Sequence, residues 1–277
     1  MKIPALAKLV AECWNRAEQA LQDQIKQELP DINEETITVL LSGKLNAEFN
    51  KASENGAVRV AFLHDLRVFL SDIPNPDLYE ISRGIIATVH FHPREVEKKT
   101  GGDFGIVFTR PDVRRTAYSR SKLTIAGENR RGLLCQAKVF RRNATWGKLS
   151  ERQRKVIRER LSYFALVLYR FADQSGDRRE LAPIQWQIAT NATVDGIDGW
   201  LKSDVFPTLE GSQQIINALA KSEIGTDDGN MIDEYIAPQM RPALEIIIRW
   251  QDGDAPGREV QVIKSTAQAQ LRQVQNG

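Results

Sequence analysis

Cysteine is scarce in this chain, and long apolar runs are absent. The 277 residues include two cysteines, Cys13 and Cys135, which are too few and too far apart for a disulfide framework or a zinc cluster. No stretch approaches the roughly 18 consecutive apolar residues of a membrane span. The first residues lack the apolar block and small-residue cleavage site of a secretory signal. We therefore expect a cytoplasmic protein with no membrane partner.

Several nucleotide-binding and acyl-transfer motifs are also missing. The chain has no GxxxxGK[ST] loop and no GxSxG elbow, and its glycine-rich stretch TGGDFG (residues 100–105) does not have GxGxxG spacing. The motifs of an ATPase, a dinucleotide-binding enzyme and an α/β-hydrolase are thus not present.

The net charge of +2 is small, but its distribution is uneven. Between residues 110 and 142, ten basic residues face only Asp112 and Glu128, a local charge of +8. Such a segment binds a polyanion with release of counterions, or it is a solvated loop, and both interpretations stay open. The basic residues are Arg110, Arg114, Arg115, Arg120, Lys122, Arg130, Arg131, Lys138, Arg141 and Arg142.

Apolar periodicity predicts a helical leader followed by an α/β domain. Residues 4–28 and about 34–51 have amphipathic helical spacing, residues 56–70 are ambiguous, and IPNPD at 73–77 marks a boundary. We therefore divide the chain into a leader, 1–72, and a domain, 73–277. In the domain, apolar runs predict strands at 84–92, 103–108, 132–140, 164–171, 183–189, 245–250 and 259–264, and helices at 150–161, 193–203 and 210–222. This order predicts a mixed central sheet flanked by helices. Residues 94–99 are expected to be a polar connector and residues 110–131 a long basic connection.

An aspartate and a Gln-x-Lys pair lie at the ends of two consecutive apolar segments. Asp103 precedes one segment, and Gln136 and Lys138 lie near the end of the next. Because alternate residues of a strand share a face, Gln136 and Lys138 project together and Cys135 points the other way. If the two strands pair, Asp103 lies beside Gln136 and Lys138, with Glu97 six residues ahead of it. These groups suit metal-assisted phosphodiester hydrolysis, because Mg²⁺ prefers one or two carboxylates together with water and phosphate oxygens.

The stretches TGGDFGIVF and GLLCQAK, taken together, resemble the PD-(D/E)XK nuclease superfamily. Because it has glutamine in this motif, the sequence is similar to the Mrr-like restriction endonuclease branch, which has Gln-x-Lys where other members have Glu-x-Lys. The resemblance covers about 45 residues, from Glu97 to Arg142, and the helix–strand pair that follows.

The resemblance implies a role for each matching residue. Asp103 is the principal metal ligand, Gln136 ligates the metal through its amide oxygen, and Lys138 acts on the attacking water. Glu97 is the first choice for a further carboxylate ligand and Glu80 the second. Because Gln136 lacks the charge of a glutamate, one of these two residues has to supply it.

The activity implied is a Mg²⁺- or Mn²⁺-dependent DNA endonuclease of bacterial restriction or anti-phage defence. Double-stranded DNA is the expected partner, with a homodimer or a partner protein as a further possibility. The expected nucleic-acid-binding residues are Arg114, Arg115, Arg120, Lys122, Arg141 and Arg142.

Other interpretations of the same residues remain. The neutral Gln136 is also compatible with a catalytically silent nuclease fold that binds nucleic acid or a partner, and residues 103–138 are also compatible with a plain hairpin in a scaffold protein. Lys138 alone is typical of an exposed lysine at a strand end. We expect Gln153 on a solvated helix face, and His90 and His92 as an ordinary half-buried pair.

Overall fold

The computed structural model describes residues 4–28, 34–71, 85–92, 94–116, 119–140, 149–173, 179–196, 210–238, 244–248 and 260–263. In these ranges the protein has the predicted α/β class, a mixed sheet with helices on both faces. None of the helices in the described ranges is long and apolar enough to cross a membrane.

Three long helices come first, α1 (Pro4–Glu28), α2 (Glu34–Glu54) and α3 (Ala57–Leu70). The first two match the prediction, and the ambiguous segment is the third helix. The expected polar connector is instead a short helix, α4 (Arg94–Thr100), with two glutamates in its first turn and two lysines in its last. These charges complement the helix dipole. The predicted helix α5 (Glu151–Arg158) begins at the N-cap Ser150.

The sheet is mixed and has one parallel pair among the described strands, β3 with β4. The strand order is β7-β6-β4-β3-β2-β1-β8-β9, and β5 pairs with β4. The strands are β1 (Ile85–Phe91), β2 (Phe104–Thr116), β3 (Ser119–Phe140), β4 (Phe164–Asp173), β5 (Arg179–Leu181), β6 (Gln185–Ile188), β7 (Glu210–Gly211), β8 (Leu244–Ile248) and β9 (Val260–Ile263). The remaining helices are a 3₁₀ turn (Leu161–Tyr163), α6 (residues 191–196), α7 (Ser212–Ala220), α8 (Gly229–Met231) and a π-helix (Ile232–Ile236) that continues α8.

The expectation that residues 110–131 form a long connection is wrong, because the described residues of this segment extend β2 and β3. Strand β1 pairs with β2 only as far as Thr109, and β4 pairs with β3 only from Leu134 onwards. Beyond those points, residues 110–116 pair only with residues 119–129 among the described strands. We call this two-stranded extension the basic ribbon. Its β-branched residues, such as Val113 and Ile125, favour strands, but the arginines between them hide the alternation.

Two apolar cores lie on the two faces of the sheet. Leu133, Cys135 and Ala137 of β3 belong to a core shared with α1, α2 and α7. Leu134 belongs to the other core, with Ile157 of α5 and the π-helix. Gln136 and Lys138 share the second face with Leu134, as strand alternation predicts. The N-terminal helices therefore pack in the same core as the sheet.

A buried carboxylate connects α1 to this sheet. Glu18 accepts hydrogen bonds from the indole nitrogens of Trp14 (3.1 Å) and Trp186 (3.4 Å) and from the hydroxyl of Ser212 (2.7 Å). Burial raises the pKa of Glu18 to about 8, although these donors act in the opposite direction. The folded protein therefore binds a proton at Glu18 more tightly than the unfolded chain does.

We expect Glu18→Gln to flatten the dependence of stability on pH. A raised folded-state pKa gives a stabilisation that is fully present below about pH 4.5 and is lost as pH rises through about 8. Glutamine retains an oxygen for the tryptophans and cannot ionise. At pH 8.5 the variant should be more stable than the wild type by about 3 kcal/mol, measured by urea unfolding between pH 5 and 9. Glu12→Gln, on the exposed side of α1, is the control, and equal pH slopes in Glu18→Gln and wild type would contradict the expectation.

Candidate active site

The start of β2 and the end of β3 bring Asp103 and Gln136 into contact. Phe104 is in register with Cys135, and the Asp103 backbone N–H donates to the Cys135 carbonyl (2.8 Å). The Asp103 Oδ2 atom accepts hydrogen bonds from the Gln136 side-chain amide (2.5 Å) and from the Ala137 backbone N–H (2.6 Å). The predicted juxtaposition of these two side chains is thus observed.

The turn that carries Asp103 is held by close packing. Gly101 has a φ of 75°, and its N–H donates to the Glu97 carbonyl (2.7 Å) at the end of α4. A Cβ on Gly105 would lie 1.9 Å from the carbonyl oxygen of Ile236, so only glycine lets the π-helix approach β2 this closely. The π-helix is thereby seated directly on the strand that begins at Asp103.

His92 joins the same turn to the π-helix. Its backbone N–H donates to the Asp103 carbonyl (2.8 Å), and its Nδ1 lies 2.9 Å from the Gly102 carbonyl oxygen. Its Nε2 lies 3.0 Å from the carbonyl oxygen of Ile236. Burial lowers the pKa of His92. His90 and His92 are both buried rather than half-buried, and His92 supports the backbone of Asp103.

Gln153 is part of the site, and the expectation of a solvated position is wrong. Its Nε2 donates to Oε1 of Gln136 (3.2 Å) and lies 3.5 Å from Oε1 of Glu97. Its Oε1 accepts the Ser150 backbone N–H (2.9 Å), which completes a capping box at the start of α5. One amide group therefore fixes the helix terminus and links the two predicted ligands.

Lys138 is buried, so the interpretation as an exposed strand-end lysine is wrong. Its exposed fraction is 6%, that of Gln136 is 0%, and the two residues follow each other on one face of β3. We call Glu97, Asp103, Gln136, Lys138 and Gln153 the polar cluster. A cationic side chain with so little solvent contact is costly to bury unless anionic or polar groups compensate it.

Cys135 belongs to the opposite face of β3. It lies fully buried in the core that includes α1. Burial raises the pKa of its thiol far above the ordinary value, and the charge of Asp103 acts in the same direction. The thiolate needed for nucleophilic catalysis is therefore disfavoured, in agreement with the sequence analysis.

The donor set of the polar cluster fits a hard divalent cation. Asp103 and Glu97 supply carboxylate oxygens, and Gln136 supplies an amide oxygen, which are the ligands that Mg²⁺ prefers. Oε1 of Gln136 and Oε1 of Glu97 both face the partly positive Gln153 amide nitrogen. One or two carboxylates, together with waters and phosphate oxygens, are the usual ligands of Mg²⁺ in proteins. The described residues include no group of three or more His, Cys, Asp or Glu side chains that could hold a metal ion.

Four of the six predicted nucleic-acid-binding residues lie away from this cluster along the strands. Arg114, Arg115, Arg120 and Lys122 lie in the basic ribbon, at the other end of the strands from Asp103. Arg141, Arg142 and the alternative ligand Glu80 lie outside the described residues. The exposed basic residues closest in sequence to Gln153 are Arg152 and Lys155, on α5.

In comparisons with known proteins, no family model matches this chain, and no curated protein matches it either.

Proposed function

We propose that the protein is a metal-dependent nuclease, a DNA endonuclease of bacterial restriction or anti-phage defence. The observation that carries this proposal is the contact between Asp103 and Gln136 across β2 and β3, with Lys138 two residues further along the same face. This arrangement accords with the resemblance to the Mrr-like branch of the PD-(D/E)XK superfamily. Gln153 supports it independently, because it links Gln136 to Glu97.

The polar cluster has the groups that phosphodiester hydrolysis requires. Asp103, Glu97 and Gln136 would hold Mg²⁺ or Mn²⁺, which when bound supplies an acidified water and neutralises charge on the phosphate. Lys138, on the same face of β3 as Gln136, would orient the attacking water and stabilise the charge that develops on phosphorus. Gln153 keeps the amide of Gln136 and the carboxylate of Glu97 in their relative positions.

The helix next to the cluster has charges suited to the phosphate backbone. Arg152 and Lys155 are exposed on α5, one and two residues from Gln153, and neither forms an ion pair with another described residue. Basic side chains of this kind bind phosphates and position the substrate without reading its sequence. In this proposal they hold the strand that is cleaved.

A metal-dependent cleavage assay tests the proposal. Purified protein is incubated with plasmid, linear duplex, single-stranded DNA and RNA in EDTA, Mg²⁺ or Mn²⁺, beside the variant Asp103→Asn. We expect cleavage of duplex DNA that requires the metal, with a rate about 100-fold or more lower in Asp103→Asn. Absence of cleavage in every condition would overturn the proposal, and binding of the intact substrates would then favour the catalytically silent alternative.

One observation favours that alternative. Asp103 Oδ2 accepts hydrogen bonds from two uncharged donors, the side-chain amide of Gln136 and the backbone N–H of Ala137. A carboxylate oxygen that is already paired within the protein suits a protein that binds nucleic acid without cutting it. The cleavage assay separates the two functions, because only the nuclease responds to the metal.

A further inference from the structure

The basic ribbon lies far from the polar cluster along the strands. Strand β2 leaves the cluster at Asp103 and reaches the ribbon at Arg110, seven residues later, and Arg115, twelve residues later. At roughly 3.3 Å per residue, these positions are about 23 and 40 Å from Asp103. The ribbon is therefore too far from the polar cluster for both to bind the same phosphate.

The two arginines at the base of the ribbon are paired within the protein. Arg130 and Arg131, where the ribbon joins the sheet, form ion pairs with Asp233 (2.7 Å) and Asp227 (3.4 Å). Arg131 also donates to the carbonyl oxygens of Ser222 and Ile224. These two arginines are thus engaged in holding the segment that leads to the π-helix. Residues 110–129 still include five basic residues against two acidic ones.

A two-stranded ribbon fits the major groove of B-DNA but not that of duplex RNA. The major groove of B-DNA is about 12 Å wide and admits a two-stranded β-ribbon. The major groove of an A-form RNA duplex is deep and narrow, so side chains do not read it. One turn of B-DNA measures about 35 Å, which lies within the range of distances between Asp103 and the ribbon.

We propose that the basic ribbon enters the major groove of duplex DNA about one helical turn from the phosphate bound at the polar cluster. This inference rests on the proposed function in taking nucleic acid as the ligand. It adds a second contact, which gives the protein a preference for duplex DNA over duplex RNA and a minimum substrate length. A duplex of about 10 base pairs reaches only one of the two contacts, and a duplex of about 24 base pairs reaches both.

Binding measured by fluorescence anisotropy in EDTA tests the proposal independently of cleavage. The ligands are DNA duplexes of 10, 16, 24 and 36 base pairs and an RNA duplex of 24. The wild type is compared with R114S/R115S/R120S/K122S and with a hairpin-shortened variant in which Asn-Gly replaces residues 111–128, because a two-residue turn suits the paired residues 110 and 129. The control K8S/K26S/K51S/R67S removes the same charge from exposed positions on α1, α2 and α3.

We expect the affinity of wild type and control to rise about 10-fold or more between 10 and 24 base pairs and to be at least 10-fold weaker for RNA. Both ribbon variants should lose this rise, and in the four-residue variant the slope of log K against log salt should fall by about 3. Ribbon variants that bind like the control, or equal affinity for RNA, would overturn the proposal. A length effect without any cleavage would instead refute only the proposed nuclease function.

Discussion

Replacing Lys138 with methionine is expected to lower the cleavage rate about 1,000-fold. Lys138 is buried and lies two residues from Gln136 on the face of β3 that carries the polar cluster, and the proposed mechanism uses its ammonium group at the reacting phosphate. Methionine has a similar length and is apolar, and it fills the space that the lysine stem occupies. Single-turnover kinetics with excess enzyme and Mg²⁺ measure the loss directly.

Stability and affinity separate a catalytic effect of Lys138→Met from a structural one. Removing one member of a buried polar or charged set leaves its partners uncompensated and is destabilising, by up to about 3–5 kcal/mol. We therefore expect a lower unfolding midpoint but, at a temperature where the variant stays folded, a Kd for uncleaved duplex within about threefold of wild type. Lys51→Met, at an exposed position on α2, is the matched control. A wild-type rate in Lys138→Met would remove this lysine from the mechanism.

Gln136→Glu is expected to make the stability of the protein depend on metal. The Gln136 amide nitrogen lies 2.5 Å from Asp103 Oδ2, so a glutamate would place two carboxylates in contact at a fully buried position. In EDTA the free energy of unfolding should fall by about 3 kcal/mol. A divalent cation between the carboxylates should restore it, because the cation binds only the folded state.

Urea unfolding with and without millimolar Mg²⁺ measures this effect. Gln187→Glu is the control, because Gln187 is a half-buried glutamine in strand β6 of the same sheet. The control should be little affected and should not respond to the metal. If added Mg²⁺ left the stability of Gln136→Glu unchanged, the cluster would not be a cation site.

The contact between Asp103 and Gln136 followed from local rules of the sequence. Alternation in β3 places Gln136 and Lys138 on one face, and two consecutive strands pair as antiparallel neighbours, so the first residue of one meets the end of the other. The register of Phe104 with Cys135 fulfils that expectation. This prediction needed only the two-residue alternation of a strand and the order of the strands along the chain. A short motif was therefore enough to make it.

The role of Gln153 depends on tertiary packing, which the sequence pattern does not contain. A Cβ on Gly101 would lie 2.9 Å from Val156, and this close approach of α5 brings Gln153 over the sheet. Ser150 is a typical N-cap residue before a predicted helix, but an N-cap does not indicate what the side chain of Gln153 contacts. His92 was missed for the same reason, since its acceptor on Ile236 lies 144 residues away.

The position of the basic residues could not be predicted because charge hid the strand pattern. The arginines of residues 110–129 interrupt the apolar alternation that identifies strands, so the ribbon resembled a loop. Conversely, the burial of Glu18 had a signal in the sequence. Trp14, Glu18 and Leu21 are spaced as neighbours on one helix face, and the other two residues are large and apolar.

The double use of Gln153 restricts which amino acids that position tolerates. Glutamate would still complete the capping box with Ser150, but it has no N–H to give to Gln136 and would face Glu97 with a like charge. Lysine would offer a donor to both side chains, yet it would leave the first turn of α5 without its acceptor. Only glutamine among the twenty amino acids has the length to accept the Ser150 N–H and also donate to Gln136. We therefore expect substitutions to accumulate more slowly at position 153 than at positions 152 and 154.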